Sequence, residues 1–119
     1  MKVFIKMIFL FFLTLGFGQS KSKPITEFSQ NDTDIGILID VRTPKEFQKG
    51  HLMNAMNIDW FGSDFIEKCQ QLDRDNPVYV YCKKGGRSAK AASLLDSLGF
   101  KAVIDLEGGY DAYLAEKER

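Results

Sequence analysis

Histidine is nearly absent from this chain: His51 stands alone among 119 residues, and there are only two cysteines, Cys69 and Cys82. Metal centres draw their ligands from clustered histidine, cysteine and carboxylate side chains. One histidine and no close cysteine pair supply no such set, so neither a metal nor another cofactor is expected. An excess of either charge is missing too, since 16 basic residues balance 16 acidic ones. That balance argues against a nucleic-acid partner or an anionic membrane surface. The apolar run Met7-Ile8-Phe9-Leu10-Phe11-Phe12-Leu13-Thr14-Leu15 falls short of the roughly 20 residues that a membrane span needs. Internal repeats and low-complexity tracts are absent.

The same apolar run is informative in another way. Lys2 and Lys6 precede it, Gly16-Phe17-Gly18 follow with small residues at the cleavage-determining positions, and then come polar Gln19-Ser20-Lys21. This is the three-part pattern of a secretory signal peptide. The expected organisation is a signal peptide over residues 1–18, a flexible lead-in over 19–24, and one domain over 25–119. The expected location is outside the cytoplasm, in a periplasm, with no stable membrane insertion after cleavage; an uncleaved N-terminal anchor is the alternative. Removing the leader leaves about 100 residues, enough to bury one core.

An even cysteine count in an exported chain first suggests a disulfide. The surroundings suggest otherwise. Cys69 lies in Phe65-Ile66-Glu67-Lys68-Cys69-Gln70-Gln71-Leu72, where helical spacing sets it beside Phe65, Ile66 and Leu72 as an apolar-face residue. Cys82 ends the alternating run Val78-Tyr79-Val80-Tyr81, which reads as a buried strand. Lys83-Lys84-Gly85-Gly86-Arg87 follow, and Ser88-Ala89-Lys90-Ala91-Ala92-Ser93-Leu94-Leu95 reads as a helix start. A thiol there sits in a glycine-bearing loop that closes on a helix N-terminus. Converging N–H groups and the helix dipole favour an anion at that point. Such a thiol is expected to ionise more readily than a free one, and the thiolate is the nucleophile.

The rest of the chain alternates strands and helices. Ile25 to Phe28 predicts a short helix with Thr26 as N-cap, Asn31 to Asp34 a turn, and Ile35 to Val41 a strand covered on both faces. Thr43-Pro44-Lys45-Glu46 predicts a capped helix start, with Phe47 as core anchor and Gly50 as stop. Ala55 to Ile58 predicts a short strand, and Ser63 caps a helix over Asp64 to Leu72. The helix after the loop stops near Leu98 before Gly99. Ala102 to Leu106 predicts a strand, Gly108-Gly109 a turn, and Tyr110 to Lys117 a last helix. This alternation gives an α/β fold with a parallel sheet and helices on both faces.

Several motifs in this order resemble the single-domain rhodaneses, the thiosulfate sulfurtransferases. They are Asp40-Val41-Arg42, Pro44-Lys45-Glu46-Phe47, Gly50-His51-Leu52 with Ala55 and Asn57-Ile58, the loop Cys82 to Ser88, and Leu106-Glu107-Gly108-Gly109. The likeness covers Ile25 to Leu114. It implies a three-layer sandwich around a central, mainly parallel five-stranded sheet, and a monomer. It implies a Cys82 nucleophile that carries sulfane sulfur as a persulfide. The donor would be thiosulfate or a similar small sulfur-containing anion, and the acceptor a thiol, cyanide or a protein. The loop from Cys82 through Arg87 has six residues, the size that suits sulfur. Related phosphatases and arsenate reductases use a loop one residue longer. Lys83, Lys84 and Arg87 would attract the anion, with Arg87 bracing the loop and the lysines capturing substrate. The N–H groups of Lys83, Lys84, Gly85, Gly86, Arg87 and Ser88 would stabilise the charged sulfur. Asp40 would anchor the loop, Arg42 and Glu46 would form an ion pair, and His51 would be structural. Tyr113 stands where many relatives carry tryptophan, a change of packing only. The alternatives are a protein persulfide carrier, a non-catalytic binding module, and a redox protein pairing Cys69 with Cys82.

Overall fold

The computed structural model describes residues 20–119; the expected leader over 1–18 lies outside the described residues. Five strands form one sheet: β1 Lys21–Pro24, β2 Ile37–Asp40, β3 Met56–Asn57, β4 Val78–Tyr81 and β5 Val103–Glu107. Their spatial order is β1-β5-β4-β2-β3, and every pairing is parallel. Four α-helices accompany them among the described residues: α1 Pro44–Gln48, α2 Phe65–Cys69 and α3 Gly86–Ser97 connect successive strands, and α4 Gly109–Lys117 follows β5. Short 3-10 turns occupy Ile25–Glu27 and Gln30–Asp34.

Strand alternation divides the core into two layers. Ile39, Val78, Val80 and Val103 face one side, where Phe65 and Cys69 of α2 and Ala91, Ala92 and Leu95 of α3 cover them. Leu38, Tyr81 and Leu106 face the other, packed with Ile25, Leu52, Tyr110, Ala112 and Tyr113. Period-two alternation along each strand produces both faces. Each large apolar side chain so buried contributes about 1.5–3 kcal/mol. The expected three-layer α/β sandwich is the architecture found.

The topology also selects a place for chemistry. From β2 the chain moves outward to the edge strand β3; from β4 it moves the opposite way to β5. The switch lies between the carboxyl ends of β2 and β4, where open α/β sheets place their ligands. Asp40-Val41-Arg42 leaves β2 there, and Cys82 leaves β4 there.

Several local expectations are corrected. The lead-in over 19–24 is in part a strand: Lys21 to Pro24 pairs with Ile104 to Glu107. Its polar Lys-Ser-Lys-Pro sequence has no alternation to announce it; the open side of β5 supplies the pairing, and proline is tolerated on an edge. Pro24, not Thr26, precedes the first 3-10 turn, with no side-chain cap. The Asn31 to Asp34 turn is a longer 3-10 turn held by a Ser29–Asp32 capping box. Ile35 is 75% exposed and precedes β2. Asp64 rather than Ser63 precedes α2, again without a side-chain cap. Phe47 is only half-buried and stacks on His51, with ring centroids 3.6 Å apart.

Candidate active site

Cys82 is 1% exposed, directly after β4. Its Sγ accepts hydrogen bonds from the Gly85 N–H at 3.1 Å and the Ser88 N–H at 3.3 Å. The thiol donates to Ser88 Oγ at 3.5 Å, and the Ser88 hydroxyl donates to the Gly85 carbonyl at 3.3 Å. Two amides of the loop and the first turn of α3 therefore converge on one sulfur. Gly85 has φ 137°, a conformation closed to other residues, and this turn aims its N–H inward. Gly86 has no such φ, and a Cβ added to it would meet nothing within 4 Å, so glycine is not sterically demanded there.

The N-terminus of α4 supports the loop from behind. The Tyr110 N–H donates to the Cys82 carbonyl at 2.8 Å, and the Asp111 N–H donates to the Lys83 carbonyl at 3.0 Å. Gly109, at φ 66°, makes this approach possible; a Cβ there would stand 2.6 Å from the Cys82 carbonyl oxygen. The Gly108-Gly109 pair is thus a close-packing device as well as a turn.

The three loop cations differ in their partners. Arg87 makes a two-pronged bond to Glu46, at 2.8 and 3.1 Å. Lys83 pairs with Asp111 at 2.9 Å. Lys84 is exposed and has no ion pair among the described residues. Arg87 therefore braces the loop against α1, and Lys84 is the cation left free at the mouth. Hydrogen bonding from Arg87, helped by Thr43, lowers the Glu46 carboxyl to about 2. Thr43 and Glu46 also form the capping box of α1, so one carboxylate ties the helix start to the loop.

The expected Arg42–Glu46 ion pair is not formed. The capping box turns Glu46 toward Arg87, while Arg42, in the bend between β2 and α1, folds back onto Asp40 two residues before it. Arg42 Nη2 lies 2.7 Å from Asp40 Oδ2 and donates to the Gly50 carbonyl at 2.7 Å. Nor does Asp40 anchor the Cys82 loop: the acceptor bonds of its carboxylate come from the Arg42 N–H and guanidinium. This buried pair is roofed by the Tyr110 ring, 4.4 Å from the guanidinium carbon. Burial, chiefly, pushes the Tyr81 hydroxyl far up, and its oxygen accepts from the Leu52 N–H at 2.9 Å. His51 Nδ1 lies 2.9 Å from the Phe47 carbonyl oxygen, an exposed arrangement tied to the end of α1. Among the described residues, no three His, Cys or carboxylate side chains gather as metal ligands would. Nor is any described helix long and apolar enough to cross a membrane.

A strand-ending cysteine, its amide-lined loop and the glycine pair behind it occur in a chain whose residues 25–116 match the rhodanese-like domain. The chain belongs to the rhodanese family. Thiosulfate sulfurtransferase 16, chloroplastic, of Arabidopsis thaliana is 36% identical over 85 residues, 63% of this chain and 71% of that protein. The thiosulfate sulfurtransferase GlpE of Vibrio cholerae is 34% identical over 76 residues, 64% of this chain and 70% of that protein. The Bacillus subtilis protein YqhL is 40% identical, but the match spans only 56% of its length and 61% of this chain. A crystal structure of a rhodanese-related protein from Thermoplasma volcanium superposes with a TM-score of 0.69 at 31% identity, covering 83% of this chain and 93% of that one. The relatives named thiosulfate sulfurtransferase support sulfurtransferase activity in general.

Some contributors are not evident from sequence patterns. Asp111 and Tyr110 read only as helix residues, yet one neutralises Lys83 and the other roofs Arg42. The Asn57 amide donates to the carbonyls of Asp40 and Arg42 at 3.0 and 2.9 Å, fixing the chain that leaves β2. Its place in the Asn-Ile motif is the available signal. Phe61 is 69% exposed, with its ring 5.7 Å from the Arg87 guanidinium carbon.

Proposed function

We propose that this rhodanese moves a sulfane sulfur from thiosulfate, or a similar anionic donor, to a thiophilic acceptor through a Cys82 persulfide. The observation that carries the reading is the pair of N–H donors on Cys82 Sγ. Donors fixed in advance stabilise negative charge on sulfur without reorganising during the reaction. In the first step the Cys82 thiolate attacks the outer sulfur of thiosulfate. A new S–S bond forms, the bond to the sulfite sulfur breaks, and sulfite leaves with its electron pair. In the second step cyanide or a thiolate attacks the outer persulfide sulfur, and Cys82 departs as the thiolate. Two covalent half-reactions of this kind give ping-pong kinetics. Lys84 is the free cation that draws the donor in, while Arg87 and Lys83 hold the loop. Export to a periplasm belongs to the same proposal and rests on the N-terminal pattern.

A protein or peptide thiol as acceptor is favoured by one observation. Phe61 gives the mouth an exposed apolar side beside Arg87, a surface that a small anion does not need. Steady-state kinetics with thiosulfate and cyanide test the main reading. Parallel double-reciprocal lines are expected, with no turnover of an aryl phosphate. Intersecting lines, or no thiocyanate from protein with a free Cys82, would overturn it.

A further inference from the structure

Beneath α3 lies a carboxyl group that the sulfur chemistry above does not use. Asp105 is 8% exposed, in the middle of β5. Val103 faces the α3 side of the sheet, and Ile104 and Leu106 face away; alternation therefore turns Asp105 toward α3. Its Oδ1 is buried with no hydrogen-bond partner among the described residues. Of the side chains that α3 buries, Ser88, Ala91, Ala92 and Leu95, Ser88 alone is polar and carries a hydroxyl, and the charge acting on Asp105 along β5 is Glu107. The register positions on either side, Val80 of β4 and Ser22 of β1, bring no charge. Burial raises its carboxyl above the usual range, with a counter-pull from the Ser88 hydroxyl and a further push from Glu107.

Ser88 is also the hydroxyl on Cys82. It has one proton to give. With a neutral thiol, that proton serves the Gly85 carbonyl, as observed. With an anionic sulfur, the proton belongs on Sγ, and the Ser88 oxygen is then free to accept a bond. A protonated Asp105 can donate that bond. An ionised Asp105 can only accept, so it competes with the sulfur for the same hydroxyl proton.

We propose that Asp105 is a positioning residue that governs Cys82 through Ser88: as the neutral acid it turns the Ser88 hydroxyl toward the sulfur, and as the carboxylate it draws that hydroxyl away. The inference deepens the proposed function and rests on Cys82 being the reactive thiol. It requires no added reactant, because one proton changes partners and no covalent bond changes.

The test is the rate of Cys82 alkylation by iodoacetamide across pH, followed by peptide mass spectrometry in wild type, Asp105→Asn and Glu107→Gln. No sulfur donor is involved, so failure of sulfur transfer leaves this test standing, and failure here leaves the persulfide reading standing. Asparagine mimics the neutral acid, since its NH2 donates at every pH. Asp105→Asn is expected to alkylate roughly three- to tenfold faster above the pH at which Asp105 ionises, a size set by one charged hydrogen bond. Its profile should lose one inflection, while Glu107→Gln keeps the wild-type number of inflections, with the Asp105 one displaced to lower pH. Superimposable wild-type and Asp105→Asn profiles would overturn the proposal, as would an equal change in Glu107→Gln. Should Asp105→Asn not fold, carboxyl-carbon NMR of wild type decides: the Asp105 titration and an inflection in Cys82 alkylation must coincide, and separate midpoints refute the coupling.

Discussion

Cys69 and Cys82 are buried in the same apolar layer, on the same side of the sheet, and both are free thiols. Cys69 ends α2 with only desolvation acting on it, and burial pushes its thiol up to about 11. Cys82 is as deeply buried but meets two backbone N–H groups and a hydroxyl. Burial alone therefore makes a packing residue. The nucleophile proposed for Cys82 requires donors, and a strand-to-helix loop with Gly85 at positive φ supplies them.

The sharpest break in the comparison is the removal of the sulfur at each site. Cys82→Ser is expected to reduce thiocyanate formation to background, while Cys69→Ala keeps turnover and loses about 1 kcal/mol or more of stability from the small cavity. Rate assays and urea unfolding on both variants check this. Gly109→Ala comes next. Its Cβ would collide with the Cys82 carbonyl, and overpacking of this kind costs about 1–3 kcal/mol. Displacing the loop donors should lower kcat about 10²-fold, by analogy with the loss of one preorganised donor. Thermal melts and kcat, measured together, separate the two effects.

Glu46→Gln tests the brace rather than the donors. Because the Glu46 carboxyl is lowered to about 2 in the folded chain, its stabilisation is present above the ordinary carboxylate range. It is lost as pH falls from that range through about 2. The variant should lose stability near neutrality and show a flatter acid limb, read from urea midpoints over that window; an unchanged acid limb would mean that the Arg87 bond contributes nothing. The smallest effects belong to the mouth. Lys84→Ala should raise KM for thiosulfate several-fold, more strongly at low salt. Lys83→Ala should do less, because Asp111 already neutralises that charge. Equal effects on KM would erase the distinction drawn between the two lysines.

The sequence made the sheet, the helix order and the Cys82 loop legible because these rest on local signals: alternation, a proline-started helix and a glycine-bearing turn. What it hid depends on partners distant along the chain. Strand β1 exists only because β5 offers an open side. Glu46 finds Arg87, 41 residues away, and Arg42 turns back on Asp40; the family motifs alone suggested the wrong pairing. Asp105 reads as an ordinary strand polar residue until β5 sets it under α3. Gly109 reads as a turn residue until α4 presses it against the Cys82 carbonyl.

The most direct test of the contrast between the two thiols is intact-mass spectrometry of the purified domain before and after thiosulfate, on wild type, Cys82→Ser and Cys69→Ser. Gain of one sulfur atom is expected in wild type and Cys69→Ser, removed by cyanide, with none in Cys82→Ser. Gain that persists in Cys82→Ser, or no gain on a wild-type protein with Cys82 free, would contradict the account.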